Sequence, residues 1–340
     1  MDYQEVLKNA REILGEKCKV CPDCNGYVCR GQVPGVGGKG SGESFVRNRE
    51  KVKQVKLHLD TLVTDREIDT SIPLFGKRYQ YPFFAAPIGA LEMNYHPSLN
   101  DLSYNEHIIV GCREAGILGF TGDGAKDEFY EGPLNIIQNQ KGAGIPTIKP
   151  WNNDMIIDKI RKAEASGVSA IAIDVDAAGL ILLAMAGKPV HTKSVEDLKE
   201  IILSTDLPII LKGIMTVTGA EKAMEAGASG IVVSNHGGRV LDHTPATIEV
   251  LPEIAKRIKG QMKIFVDGGF RSGDDVFKAL ALGADAVLIG RPFAVAAYGG
   301  GSPGVKQYAE KVGNELKDAM LMTGCHQLED IDSFKATMMG

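Results

Sequence analysis

The chain reads as an α/β protein, a (β/α)8 (TIM) barrel preceded by an N-terminal Cys- and Gly-rich extension. Three observations predict this. Eight short apolar runs recur between residues 83 and 289 and alternate with segments of helical period. Several of those segments close on glycine, as in Glu114-Ala115-Gly116, Ala165-Ser166-Gly167, Ala226-Gly227-Ala228 and Leu282-Gly283-Ala284, where it supplies a helix C-cap before the next strand. Each apolar run also ends in a residue able to do chemistry. An open doubly wound sheet is the competing arrangement, but it calls for a phosphate-binding glycine fingerprint at the first strand–helix turn, and none stands there.

At 340 residues the chain is long enough to bury a large core. Its net charge of −5 gives no support to nucleic-acid binding or to an anionic membrane surface. No apolar run approaches a bilayer span, and the acidic N-terminus lacks the apolar stretch of a signal peptide. A soluble, cytoplasmic protein is expected.

Taken in order, residues 2–15 have helical spacing, with Val6, Ala10, Ile13 and Leu14 on the apolar face. Four of the six cysteines follow within residues 18–29, as Cys18-x2-Cys21-x2-Cys24-x4-Cys29. In an intracellular chain that density points to metal or iron–sulfur ligation, with unligated thiols or a redox pair as the alternatives. No iron–sulfur motif matches all the spacings, and the second, distant pair of a zinc ribbon is missing. The glycine-rich stretch 31–42 does not follow a strand, so it reads as a connector rather than a dinucleotide loop. A helical stretch at 44–52 and an extended run at 55–59 lead into the barrel, giving an extension of residues 1–54 and a barrel domain of 55–340.

The barrel runs are 83–88, 116–121, 145–149, 170–175, 208–212, 230–233, 264–266 and 286–289. Ser194-x-x-Asp197 reads as a capping box opening the helix before the fifth of them. Their C-terminal ends, where such barrels place active sites, carry Pro87-Ile88-Gly89, Thr121, Lys149, Asp174 and Asp176, Lys212, Ser234 and His236, Asp267-Gly268-Gly269, and Gly290-Arg291. The last two turns, with Arg271 close by, suit a phosphate: glycines admit it to the backbone amides and arginines supply charge. In Ser234-Asn235-His236-Gly237-Gly238-Arg239 a base lies beside a fixed cation, which suits proton transfer from a substrate that carries a carboxylate.

On the strings SNHGGRVLDHTPATIEVL and VDGGFRSGDDVFKALALGADAVLIGRP, and the late Gly324-Cys325, the chain resembles the FMN-dependent 2-hydroxy acid oxidases and dehydrogenases, the family of glycolate and lactate oxidases. The resemblance implies non-covalent FMN lined by Pro87, Ile88, Gly89 and Thr121, with Lys212 near the ring atoms that become negative on reduction. It implies that Ser234 helps hold the flavin, and that Asp267, Gly268, Gly269, Arg271, Gly290 and Arg291 bind its ribityl and phosphate parts. His236 matches the family's base, Asp176 the carboxylate paired with it, and Arg239 the arginine that holds the substrate carboxylate. A homo-oligomer, tetramer or octamer, is implied too.

The departures are specific. The N-terminal tyrosine near the substrate has no equivalent, and an ungapped alignment puts Pro146 and Ile148 where the third strand ends in Gln and Tyr, with Lys149 adjacent. A threonine of strand four becomes Asp174, and the second substrate arginine falls on Leu183, within the apolar run 180–183. Lys188 and His191 lie in the shortened segment that follows. Oxidation of a small, lactate-like 2-hydroxy acid to the 2-oxo acid is therefore expected. Two readings compete: a flavin enzyme on another substrate, resembling type 2 isopentenyl diphosphate isomerase, and an electron-transfer flavoprotein that uses a Cys-bound cluster and an electron-acceptor protein.

Overall fold

A computed structural model describes residues 2–180, 183 and 186–339; Ile181 and Leu182 of the apolar run 180–183 lie outside the described residues. Among these, eight parallel strands close into a barrel: β1 (Phe83–Ala85), β2 (Gly119–Thr121), β3 (Gly144–Ile148), β4 (Ile171–Asp174), β5 (Ile209–Ile214), β6 (Gly230–Val233), β7 (Lys263–Val266) and β8 (Ala286–Ile289). Sequence neighbours are sheet neighbours all the way round, and β8 pairs β1. Phe84, Phe120 and Phe265 are fully buried and meet with ring centroids 6.2–6.4 Å apart. A hairpin (Ile72–Leu74 with Lys77–Tyr79) brings Phe75 at its turn to 6.3 Å from Phe265.

Each apolar run carries one of these strands, with altered ends. β1 stops at Ala85, because Pro87 has no N–H to give the ladder. The start of the second run, Gly116, is instead a left-handed helix cap with φ +73°, and its N–H donates to Arg113 O. β5 runs past Lys212 to Ile214 through a bulge at Gly213.

The N-terminal extension is packed into this frame. Helix α1 (Tyr3–Leu14) opens with a capping box between Asp2 and Glu5 and buries Val6, Ala10 and Leu14. At about 1.5–3 kcal/mol for each large side chain, that face outweighs the few tenths available from the solvated one. Its partner is helix α3 (Arg291–Met322), which approaches so closely that a Cβ on Gly299 would lie 2.0 Å from Val6 O. Helix α2 (Glu43–Gln54) lies against the turn after β6, where a Cβ on Gly238 would come within 2.6 Å of Phe45 N. Arg47 forks onto Glu249 at 2.7 and 2.8 Å, and the Asn48 and Asn235 amides bond each other. Residues 336–338 return to pair with residues 55–57. The Ser194–Asp197 capping box opens helix Val195–Leu203. No described helix is long and apolar enough to cross a membrane.

Candidate active site

The barrel register sets Asp174 directly opposite Lys212, and its Oδ1 accepts from Lys212 Nζ at 3.0 Å. Lys149, at the end of β3, donates to Asp174 Oδ2 at 2.5 Å. One fully buried carboxylate thus sits between two lysines. Burial alone would raise the Asp174 carboxyl, but the charges of His236, Lys149 and Lys212 outweigh it and hold it well below the usual range. Burial likewise pulls the Lys212 ammonium down, and the charges of Asp174, Asp176 and Asp267 overcome it, so this lysine stays protonated.

His236 stands at φ +59° in the turn after β6, its N–H held by Ser234 Oγ at 3.0 Å. Its Nδ1 lies 3.0 Å from Asp176 Oδ1 and 3.5 Å from Lys212 Nζ. The bulge at Gly213 allows this: a Cβ there would fall 2.5 Å from both Cβ and Cγ of Asp176. Ser234 Oγ donates in turn to Asp267 Oδ2 at 2.9 Å. Asp267 is raised, chiefly by burial.

Three half-buried arginines face the extension. Arg239 donates to Gly35 O at 2.6 Å, Gly37 O at 3.0 Å and Asn94 Oδ1 at 3.0 Å. Arg291 donates to Val36 O, Gly37 O and Gly237 O and lies 3.7 Å above the Phe45 ring. Arg271 forks onto Cys24 O at 3.1 and 2.9 Å. Among the described residues no carboxylate pairs with Arg239 or Arg291. Burial first, and then the charge of Arg291, lower the Arg239 guanidinium to about 10.

These side chains surround a cavity of about 300 Å³ at the barrel mouth. Pro87, Ile88, Gly89, Lys212, His236, Arg239, Asp267, Gly268, Gly269, Arg271, Gly290 and Arg291 line it; Thr121 and Ser234 are wholly buried, and Asp176 reaches the site through His236. The matching family model is that of FMN-dependent dehydrogenases, over residues 35–184 and 182–337. The chain belongs to this family. It is 32% identical over 336 residues to 4-hydroxymandelate oxidase of Amycolatopsis orientalis, covering 86% of this chain and 89% of that protein. To L-lactate oxidase of Lactobacillus jensenii it is 50% identical over 135 residues, covering 40% of this chain and 33% of that one. A crystal structure of mandelate oxidase superimposes with a TM-score of 0.81 at 28% identity, over 99% of this chain and 97% of that chain.

The residues present fit FMN. Thr121 Oγ1, Thr147 Oγ1 and Asp267 Oδ1 are buried yet make no hydrogen bond within the protein, and Thr147 and Asp267 line the cavity. A flavin's ring edge and ribityl hydroxyls are the partners such atoms call for. A Cβ on Gly290 would approach only Ala86 and Ile88, at 3.7 Å, so this turn leaves room for a phosphate at the N-terminus of α3. In this family of 2-hydroxy acid oxidases the chain is an FMN-dependent oxidoreductase.

Other placements differ from the sequence reading or extend it. Thr147 and Lys149, rather than Pro146 and Ile148, line the cavity from β3, because strand alternation turns the other two into the core. Asp123 went unnoticed. It lines the cavity and accepts from Lys149 N, Trp151 Nε1 and Lys159 Nζ at 2.7–3.0 Å, so it fixes the loop that carries Lys149. Its signal was an acid between two glycines just after β2. Leu180 and Leu183 line the cavity, whereas Lys188 and His191 do not. The four cysteines are half-buried free thiols around a second cavity. The only described trio of His, Cys, Asp or Glu ligand atoms within 4.8 Å of one another is Asp174, Asp176 and His236.

Proposed function

We propose that the chain oxidises a 2-hydroxy acid with a small apolar substituent, lactate-like, to the 2-oxo acid, with His236 as the base. The observation that carries this is the conjunction of a carboxylate-anchored imidazole with a half-buried guanidinium that has no carboxylate of its own. Asp176 holds Nδ1 of His236 at 3.0 Å, which leaves Nε2 to take the hydroxyl proton. The same carboxylate stabilises the imidazolium that forms. Arg239 meets only neutral acceptors and lines the cavity, so a substrate carboxylate supplies the charge it lacks. Bound FMN supplies the hydride acceptor. Lys212, kept protonated by its carboxylates, puts a fixed cation in the flavin cavity. Leu180 and Leu183 give the cavity an apolar wall where a second arginine is expected, which favours acids whose 2-substituent is apolar. Of the relatives, one is named for lactate, whose 2-substituent is a methyl, and one for 4-hydroxymandelate, whose 2-substituent is a hydroxyphenyl ring.

The test is anaerobic mixing of the flavin-loaded protein with glycolate, lactate, 2-hydroxyisocaproate and mandelate while the flavin absorbance is followed. Bleaching is expected, faster with apolar-substituted acids than with glycolate. His236→Ala should keep its flavin and slow bleaching by about 10²–10⁴-fold. Should dithionite bleach the flavin and no hydroxy acid do so, the reading fails and the non-redox alternative behind the Leu183 wall takes its place.

A further inference from the structure

We propose that Cys18, Cys21, Cys24 and Cys29 bind a [4Fe–4S] cluster in the cavity beneath the N-terminal extension, next to the flavin cavity. All four thiols line that one cavity, of about 690 Å³, far larger than a single ion requires. None is in a disulfide, and no three of them stand within 4.8 Å of one another. A tetrahedral zinc, with bonds of about 2.3 Å, would draw its sulfurs inside that separation. The corners of a cubane hold their thiolates on a wider tetrahedron. Cys18-x2-Cys21-x2-Cys24 has the spacing with which bacterial ferredoxins hold three corners of one cluster. Cys29 supplies the fourth from the same loop.

The charge around the cavity agrees. A cubane with four thiolates is a net anion, and Arg49, Arg271, Arg291 and Lys311 all line the walls. Arg271 already grips the ligand loop through Cys24 O, and Arg49 and Lys53 hold Asp23 at 2.7 and 3.0 Å. Between α1 and α2, residues 15–42 contain no helix or multi-residue strand, and of their larger aliphatic side chains only Val20 and Val36 are buried. So little apolar burial cannot offset the entropy of ordering such a stretch; four iron–thiolate bonds can. Tyr95, Arg271 and Arg291 line both cavities, so one layer of side chains separates the cluster from the flavin site.

The proposal is independent of the substrate reading, and its test uses the full chain purified without oxygen. Iron, acid-labile sulfide, zinc and FMN are each measured per chain, and low-temperature electron paramagnetic resonance is recorded after dithionite. About four iron and four sulfide per chain are expected, with a reduced-cluster signal distinct from any flavin radical. Cys24→Ser should lower the iron content while FMN content holds, and Cys325→Ser, whose thiol lies elsewhere in the fold, should leave iron unchanged. Zinc at one per chain, or no iron after reconstitution with ferrous iron and sulfide, overturns the proposal. Equal iron in the parent and in the variant with all four cysteines changed to serine overturns it as well. The parent's own iron content decides the matter even if that variant fails to fold. Because FMN is measured separately, loss of the flavin reading is recognisable as a different result.

Discussion

Asp174→Asn removes one charge from between a buried and a half-buried cation, and its cost follows from the geometry. Lys212 Nζ lies 3.0 Å and Lys149 Nζ 2.5 Å from the carboxylate oxygens. At an effective dielectric of about 20, each such pair is worth about 5–7 kcal/mol gross. Desolvation offsets most of that, and breaking a buried pair by removing one partner typically costs about 3–5 kcal/mol net. The pH dependence has a definite sign. The folded carboxyl is held well below its unfolded value, so its contribution is fully present above about pH 4 and fades as pH falls through the folded pKa. In the variant Lys212 loses the largest of the charges that keep it protonated, while those of Asp176 and Asp267 remain. The gap between parent and variant is therefore fully open at neutrality and narrows as pH falls below about 4. Urea unfolding at matched flavin occupancy, at about pH 3, 5 and 7, measures it. Adding Lys149→Met to the Asn variant should recover part of the loss, since one orphaned cation goes. A neutral-pH loss under about 1 kcal/mol, or a gap as wide at about pH 3 as at about pH 7, would refute the assignment of a charged Lys–Asp–Lys triad.

Gly213→Ala should displace Asp176, because the new Cβ would lie 2.5 Å from that side chain at φ +105°. With His236 misaligned by about 1 Å, flavin reduction should slow about 10²-fold while FMN stays bound, and an unchanged stopped-flow rate would count against the dyad. Arg239→Lys should weaken oxalate binding by about 10–100-fold, the worth of one charged hydrogen bond, read by flavin difference spectra. Equal affinity would mean that the substrate carboxylate is held elsewhere.

Strand positions were legible because the barrel strands are buried on both faces and read as unbroken apolar runs such as Ile171-Ala172-Ile173 and Gly230-Ile231-Val232-Val233. The helix caps were legible for a similar reason: Gly116, Gly167, Gly227 and Gly283 all take positive φ, which few residues other than glycine tolerate. The site was legible only where chemistry sits at a strand end. Thr147 was missed because an ungapped alignment fixes register to the nearest residue, and a slip of one turns the other face inward. Asn94 was missed because nothing in its surroundings announces a partner 145 positions away at Arg239. Asp123 looks like a turn residue until the chain folds Trp151 and Lys159 onto it. Such contacts belong to tertiary structure and leave no local period.

Two departures from the family pattern that look unrelated in the sequence prove to be one. A carboxylate at position 174 alone would face Lys212 across the sheet and cancel the cation that the family resemblance places beside the flavin. Lys149, arriving from the neighbouring strand, makes up the charge: two lysines against one aspartate leave the same net positive charge as a lone Lys212 beside a threonine. The swap is therefore compensated at the ring end of the cavity. At the substrate end Lys149 is committed to Asp174, and with Arg271 and Arg291 given to the flavin phosphate the proposed reading leaves Arg239 as the guanidinium for the substrate carboxylate. On that reading a single fork holds the carboxylate, so the orientation of the substrate would depend on what its 2-substituent meets, and Leu180 and Leu183 line that cavity. Discrimination among hydroxy acids in this enzyme should accordingly follow the size and apolarity of that substituent, and substitutions at Leu183 should change the order of preferred acids more than they change flavin binding.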